Sequence, residues 1–201
     1  MKISKFISYF FHPINFPIIG ALLYFLFVPR HIFKLQEYTI LSVIFIGTYL
    51  FPIIFLYTIK RFGMIKSYHM TSIEERKFPT LLFIALSYIV GNWLYKLTIV
   101  DLLTLLFFGY GLSLIVSYIL LFLKIKISLH SSAIAGLIGF LICFSYHYKL
   151  NLLIIISIFF ILAGLISTAR LRLKAHKFSE VFWGFTLGLI SQFLAYTIYI
   201  I

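Results

Sequence analysis

The chain has 201 residues, 63% of them hydrophobic and only 11% charged, against about 45–50% and about 25% in an average soluble domain. So few polar side chains cannot clothe a water-soluble globule, and the same numbers exclude a disordered chain. The net charge of +12 does not imply nucleic acid in a membrane protein, because excess lysine and arginine also marks a cytoplasmic face, anionic lipid or a phosphate site.

A hydrocarbon core about 30 Å thick calls for about 17–25 apolar residues per crossing helix. Seven runs answer to this: 14–28, 38–59, 79–97, 102–123, 132–148, 150–168 and 181–201. Backbone in lipid must satisfy its own hydrogen bonds, which leaves helices or a closed barrel. Continuous runs without alternation select helices. The expected fold is all-α, a membrane helical bundle of six to seven transmembrane helices forming one domain over 1–201.

The first run is short and holds Pro17, and it is expected to extend back to Phe6 as a broken helix past His12 and Pro13. Lys2 and Lys5 precede it without a small-residue cleavage pattern, so a cleaved signal peptide is not expected. Short turns near Asp101 and Lys149 read as tight hairpins between spans three and four and spans five and six. Gly136 and Gly139, with Ala133 and Ala135, give the fifth span a small face, and Gly184 and Gly188 form a small-xxx-small pair in the seventh; both are expected to serve packing. The single cysteine, Cys143, excludes an internal disulfide and a multi-thiolate metal site.

With seven antiparallel spans, the loops 60–78, 124–130 and 169–180 share a face with the N-terminus. That face carries thirteen of the seventeen lysines and arginines, with Glu74, Glu75 and Glu180. The other has Arg30, Lys34, Lys96 and Lys149, with Glu37 and Asp101. The positive-inside rule would explain the cations as a topology signal. A phosphate site built where three loops converge would also explain why histidine appears in two of those loops.

His12, His31, His69 and His147 are expected to be interfacial headgroup contacts. His130 and His176 differ, since each stands where an apolar helix begins. If the segment before the seventh span is helical, Arg172, His176 and Glu180 share one face at i, i+4 and i+8. A carboxylate four residues from a histidine accepts its Nδ1 proton and leaves the other nitrogen as nucleophile or base. Surrounding guanidinium and ammonium groups suit phosphate. The carboxylates are too few and scattered for a metal cluster, so no metal or other cofactor is expected.

The spacing Arg170, five residues, His176, three residues, Glu180 resembles the third signature of the type 2 phosphatidic acid phosphatases, which reads Ser-Arg, five residues, His, three residues, Asp. Ile127-Ser128-Leu129-His130 is similar to their second signature, Pro-Ser-Gly-His, and Arg76-Lys77-Phe78-Pro79 echoes the Arg-Pro end of their first. The resemblance covers about residues 60–190 and suggests a small, divergent bacterial membrane member. It implies that His176 attacks phosphorus and forms a phosphohistidine, that His130 protonates the leaving alcohol and then activates water, and that Glu180 orients His176. Arg170, Ser128, Arg76, Lys77 and Arg172 would bind the phosphate oxygens. The implied partners are membrane lipids and a lipid mono- or diphosphate substrate, in the cell (inner) membrane. Ala169 stands where the family has serine, and Ile127 and Leu129 where it has Pro and Gly. These departures suit an alternative, a catalytically impaired relative that binds anionic lipid or a membrane partner. A small-solute transporter is a third reading, compatible with the broken first span but without a visible inverted repeat.

Overall fold

The computed structural model describes residues 2–65 and 72–200; Lys66 and His69 lie outside the described residues. Regular structure among these is helical throughout, and seven helical stretches are long and apolar enough to cross a bilayer. The protein is a multi-pass, all-α membrane bundle.

The first span runs Lys2–Phe27 and is broken as its sequence requires. Helix α1 (Lys2–Phe10) stops before His12, which takes an extended conformation ahead of Pro13; a 3₁₀ turn (Pro13–Asn15) then leads into α2 (Phe16–Phe27). The residue before a proline is pushed out of the α region, and this sets the break. The face that α1 turns inward is small and polar, with Ser4 and Ser8 buried, while Ile3, Phe6, Tyr9 and Phe10 are exposed. That is the reverse of a helix on a soluble protein, and it suits a helix whose outer surroundings are lipid.

The second span is α3 (Lys34–Phe45), a π turn (Ile46–Leu50) and α4 (Phe51–Arg61). Pro52 has no N–H to give the carbonyl four residues back, and the wider turn ahead of it absorbs that mismatch. Helix α5 (Ile73–Lys96) begins six residues earlier than the apolar run at 79. Ser72 accepts the Glu75 N–H at 3.3 Å and caps it, a Ser-x-x-Glu start. Arg76 and Lys77 therefore lie in the second turn of a helix, not in a loop.

Helix α6 (Asp101–Phe122) pairs with α5 after a short turn. Helix α7 (Leu129–Tyr148) is the most enclosed span, with α8 (Leu153–Arg172) and α9 (Phe178–Ile200) beside it. Helices α7 and α9 touch backbone to backbone. A Cβ on Gly184 would come within 2.6 Å of the Ser128 carbonyl oxygen, and one on Gly188 closer still to that of Ser132. The two glycines thus do the packing work their spacing suggested. The same approach lets the Ser128 N–H bond the Glu180 carbonyl at 2.9 Å, which ties together the starts of α7 and α9, where His130 and Glu180 stand.

The turn after α8 places His176. Lys174 adopts a left-handed φ of 51°. Its N–H bonds the Leu171 carbonyl at 2.9 Å, and the Ala175 N–H bonds the Arg170 carbonyl at 3.2 Å. This is a Schellman ending with lysine where glycine is usual. It ends the helix at Arg172, so the continuous helix expected through Arg172, His176 and Glu180 does not form, and Arg172 does not share a face with the other two.

Candidate functional site

At the cationic end of the bundle the chain encloses a cavity of about 610 Å³. Its rim draws on four separate parts of the sequence: Lys5, Ser8 and His12 from the first span, Arg76 from α5, Lys126 and His130 around the start of α7, and Arg170, Lys174 and His176 from α8 and the turn after it. The three loops expected to share a face with the N-terminus meet here. None of the described residues lining the cavity is acidic, so it presents five lysine and arginine side chains to whatever enters. Below the rim the wall is mostly apolar, formed by residues such as Leu56, Phe83, Leu86, Phe107 and Leu114, with hydroxyls of Thr48, Ser87, Ser113 and Ser132 among them. Along α5 the lining runs from Arg76 to Ser87, which at 1.5 Å per residue is a depth of about 16 Å.

His176 and Glu180 form the pair that their spacing suggested, though across a helix start and not along one helix. Glu180 Oε2 lies 2.7 Å from His176 Nδ1 and also accepts the Lys177 N–H at 3.3 Å. A carboxylate on Nδ1 fixes that nitrogen as the N–H and leaves Nε2 as the nitrogen with a lone pair. The His176 side chain is almost fully enclosed. Burial holds its imidazole well below the ordinary range, the hydrogen bond to Glu180 opposes this, and the charges of Arg76 and Arg170 reinforce it. The ring is therefore neutral at pH 7, the state a nitrogen nucleophile needs.

Arg170 is only 6% exposed. Its Nη1 donates to Ser8 Oγ at 2.7 Å, while its Nε is shielded from solvent and has no hydrogen-bond partner among the described residues. A buried guanidinium N–H left without an acceptor is costly. Arg76 lies within electrostatic reach of both Arg170 and Glu180. His130 Nε2 is 3.1 Å from the Ser8 carbonyl oxygen. A carbonyl only accepts, so Nε2 carries the proton in this contact, which leaves Nδ1 free to act as acceptor. His130 and His176 line the same cavity.

Other expected site residues lie elsewhere. The Ser128 hydroxyl caps α7: it accepts the Ser131 N–H at 3.4 Å and the Ser131 hydroxyl at 3.2 Å, and the residue is fully buried outside the cavity lining. Lys77 pairs with Glu74 at 2.9 Å and rests its ammonium 4.9 Å from the centre of the Phe122 ring, away from the cavity. One residue is about 100° of helix rotation, so Arg76 can face inward only if Lys77 turns aside. Arg172 is exposed and outside the lining; Ala169 is buried within the bundle and also outside the lining.

Sequence reasoning missed the part played by α1. His12, read as a headgroup contact, stacks edge-on to His130 with ring centres 5.4 Å apart. Ser8 reaches both Arg170 and His130. The available signal was the pair Ser4 and Ser8, four residues apart among large apolar neighbours, followed by His12-Pro13. The described residues hold no group of three or more His, Cys, Asp or Glu side chains able to ligate a metal. The chain matches no protein-family model, no curated protein and no solved structure.

Proposed function

We propose that the protein is a lipid phosphate phosphatase or phosphotransferase of the cell membrane, of the type 2 phosphatidic acid phosphatase kind, acting through a phosphohistidine. The observation that carries this reading is the pairing of a Glu180-held His176 with a buried Arg170 that lacks an acceptor for its Nε, both on one cationic cavity with no acid among the described lining residues. Separately, each feature has a structural explanation. Together they match a nucleophile and an oxyanion binder for phosphoryl transfer. The apolar wall beneath the rim suits a substrate with a phosphate head and a hydrocarbon body.

In the first step His176 Nε2 attacks phosphorus, the P–O bond to the lipid breaks, and His130, which takes up a second proton from solvent once the phosphate dianion is bound beside it, gives its Nδ1 proton to the departing alkoxide. In the second, neutral His130 takes a proton from water, whose oxygen attacks phosphorus; the P–N bond breaks and inorganic phosphate leaves. Arg170, Arg76 and the backbone N–H groups at the start of α7 would hold the equatorial oxygens, and the helix dipole favours an anion at that end. Protein cations thus supply the charge stabilisation of the transferring group.

The second reading is a relative that binds anionic lipid without turnover. It is favoured by Ser128, whose hydroxyl is engaged as a helix cap. A panel of lipid mono- and diphosphates, assayed for phosphate release on purified protein with and without EDTA, separates the two. Release that survives EDTA and disappears in His176→Ala supports the enzyme. Tight lipid phosphate binding with no release from any member supports the binder.

A further inference from the structure

The N-terminal helix reaches both halves of the candidate chemistry through one residue. Ser8 Oγ accepts from Arg170 Nη1 at 2.7 Å, and its carbonyl oxygen accepts from His130 Nε2 at 3.1 Å. Both contacts join residues far apart in sequence, and all three residues line the cavity. The carbonyl lies in the last turn of α1, where helical acceptors lose their intrahelical donors, so His130 fills a place the break at His12-Pro13 opens. The hydroxyl has a second capacity. A guanidinium cannot accept a hydrogen bond, so the Ser8 proton is not engaged by Arg170 and can be given to a ligand. The unmatched Arg170 Nε lies on the same guanidinium and requires an acceptor.

We propose that Ser8 is a phosphate-binding residue contributed by α1: its hydroxyl, held by Arg170, donates to an oxygen of a bound phosphate, while its carbonyl sets the His130 ring with Nδ1 toward the reaction. This rests on the phosphate reading of the cavity, but not on turnover. It gives the site a hydroxyl donor that neither Ala169, buried outside the lining, nor Ser128, engaged as a cap, can provide. It also makes α1 a working part of the site. Phosphate recognition then requires both ends of the chain to be assembled, since Ser8 and Arg170 are 162 residues apart.

The test is calorimetric titration of the purified full chain with inorganic phosphate, for wild type, Ser8→Ala, Ser8→Thr and Ser4→Ala. Ser4 is buried on the same helix face outside the cavity lining and serves as the control. Loss of one charge-assisted hydrogen bond should weaken binding by about 10-fold or more in Ser8→Ala. Ser8→Thr, which keeps the hydroxyl, should stay within about threefold of wild type, and Ser4→Ala should be unchanged. Phenylglyoxal labelling of Arg170, followed by peptide mass spectrometry, reads the clamp without any ligand; Arg170 should react faster in Ser8→Ala and at the wild-type rate in Ser8→Thr. Where phosphate is released from a lipid substrate, Ser8→Ala should raise KM with little change in kcat. Wild-type affinity for phosphate in Ser8→Ala would overturn the proposal, as would absence of phosphate binding in wild type. Ser8-dependent phosphate binding with no hydrolysis of any lipid would uphold Ser8 and overturn the enzyme.

Discussion

The two ends of the bundle treat charge in opposite ways. At the end with Arg30 and Asp101, cations are few and exposed, and two of the four, Arg30 and Lys34, have ion pairs. Arg30 lies 3.6 Å from Asp101 and near the Tyr148 ring, and Lys34 bonds Glu37 at 2.7 Å. At the other end, five cations line one cavity with no acid among the described lining residues, and Arg170 is buried there with an orphan N–H. A topology signal needs cations near the membrane surface, not inside the protein. Burial of a guanidinium costs several kcal/mol when it is incompletely paired. The contrast separates charge that orients a membrane protein from charge that the fold has enclosed around a cavity.

The largest effect that would sharpen this contrast is loss of the nucleophile. His176→Ala should lower turnover by at least about 10³-fold, while Asp101→Asn at the opposite end should leave it unchanged; phosphate release from the best lipid substrate reads both. Next is the shape of the buried cation. Arg170→Lys keeps the charge and loses the planar fork that holds Ser8 and is proposed to hold the phosphate, so kcat/KM should fall by about a hundredfold, near the top of the range for a charged hydrogen bond. Arg30→Lys, in a partly exposed pair, should cost about 1 kcal/mol of stability at most and no activity.

Glu180→Gln should lower kcat/KM by about tenfold at pH 7, as the hold on the His176 tautomer weakens. It should also move the pH profile in a defined direction. His176 titrates below the ordinary imidazole value of about 6.5 because it is buried, and Glu180 opposes that shift. The neutral nucleophile should therefore persist as pH falls through 6.5, and the acid limb of kcat/KM due to His176 should lie below it. Removing the Glu180 charge should carry that limb further to acid. The linked stability has the same sign. It is fully present above the unfolded value of about 6.5 and lost as pH falls below it, because the unfolded chain then takes up a proton that the folded chain resists. An acid limb at or above pH 6.5, unmoved in Glu180→Gln, would contradict this account of the dyad.

The smallest effect belongs to the quiet end. Lys149 ends α7 with a left-handed φ of 52° and an exposed side chain. Lys149→Gly should relieve about 1 kcal/mol of backbone strain and raise thermal stability without altering activity.

The spans were legible because hydropathy is a local property, and the glycine contacts of α9 because small residues four apart mark one helix face. His130, His176, Arg170 and Glu180 were legible because polar residues are scarce in such a chain and their spacing is short. What escaped was long-range or conformational. Nothing near Ser8 in sequence reveals that it meets Arg170. The turn at Lys174 carries no glycine to mark it, so Arg172 was placed on a helix face that the chain does not build. Ser128 was assigned to phosphate because its motif suggested it, whereas a serine just ahead of a helix is equally a cap. Arg76 and Lys77 could not be told apart until the helix containing them set which one faced inward.

The central claim is that His176 Nε2 becomes covalently phosphorylated. The direct measurement is rapid acid-free quenching of the wild-type protein with a radiolabelled lipid phosphate, followed by peptide mapping. An acid-labile, base-stable phosphate is expected on the peptide carrying His176, absent in His176→Ala and formed in the presence of EDTA. Turnover of the same lipid with no label on His176 at any quench time, or label on His130 instead, would contradict it.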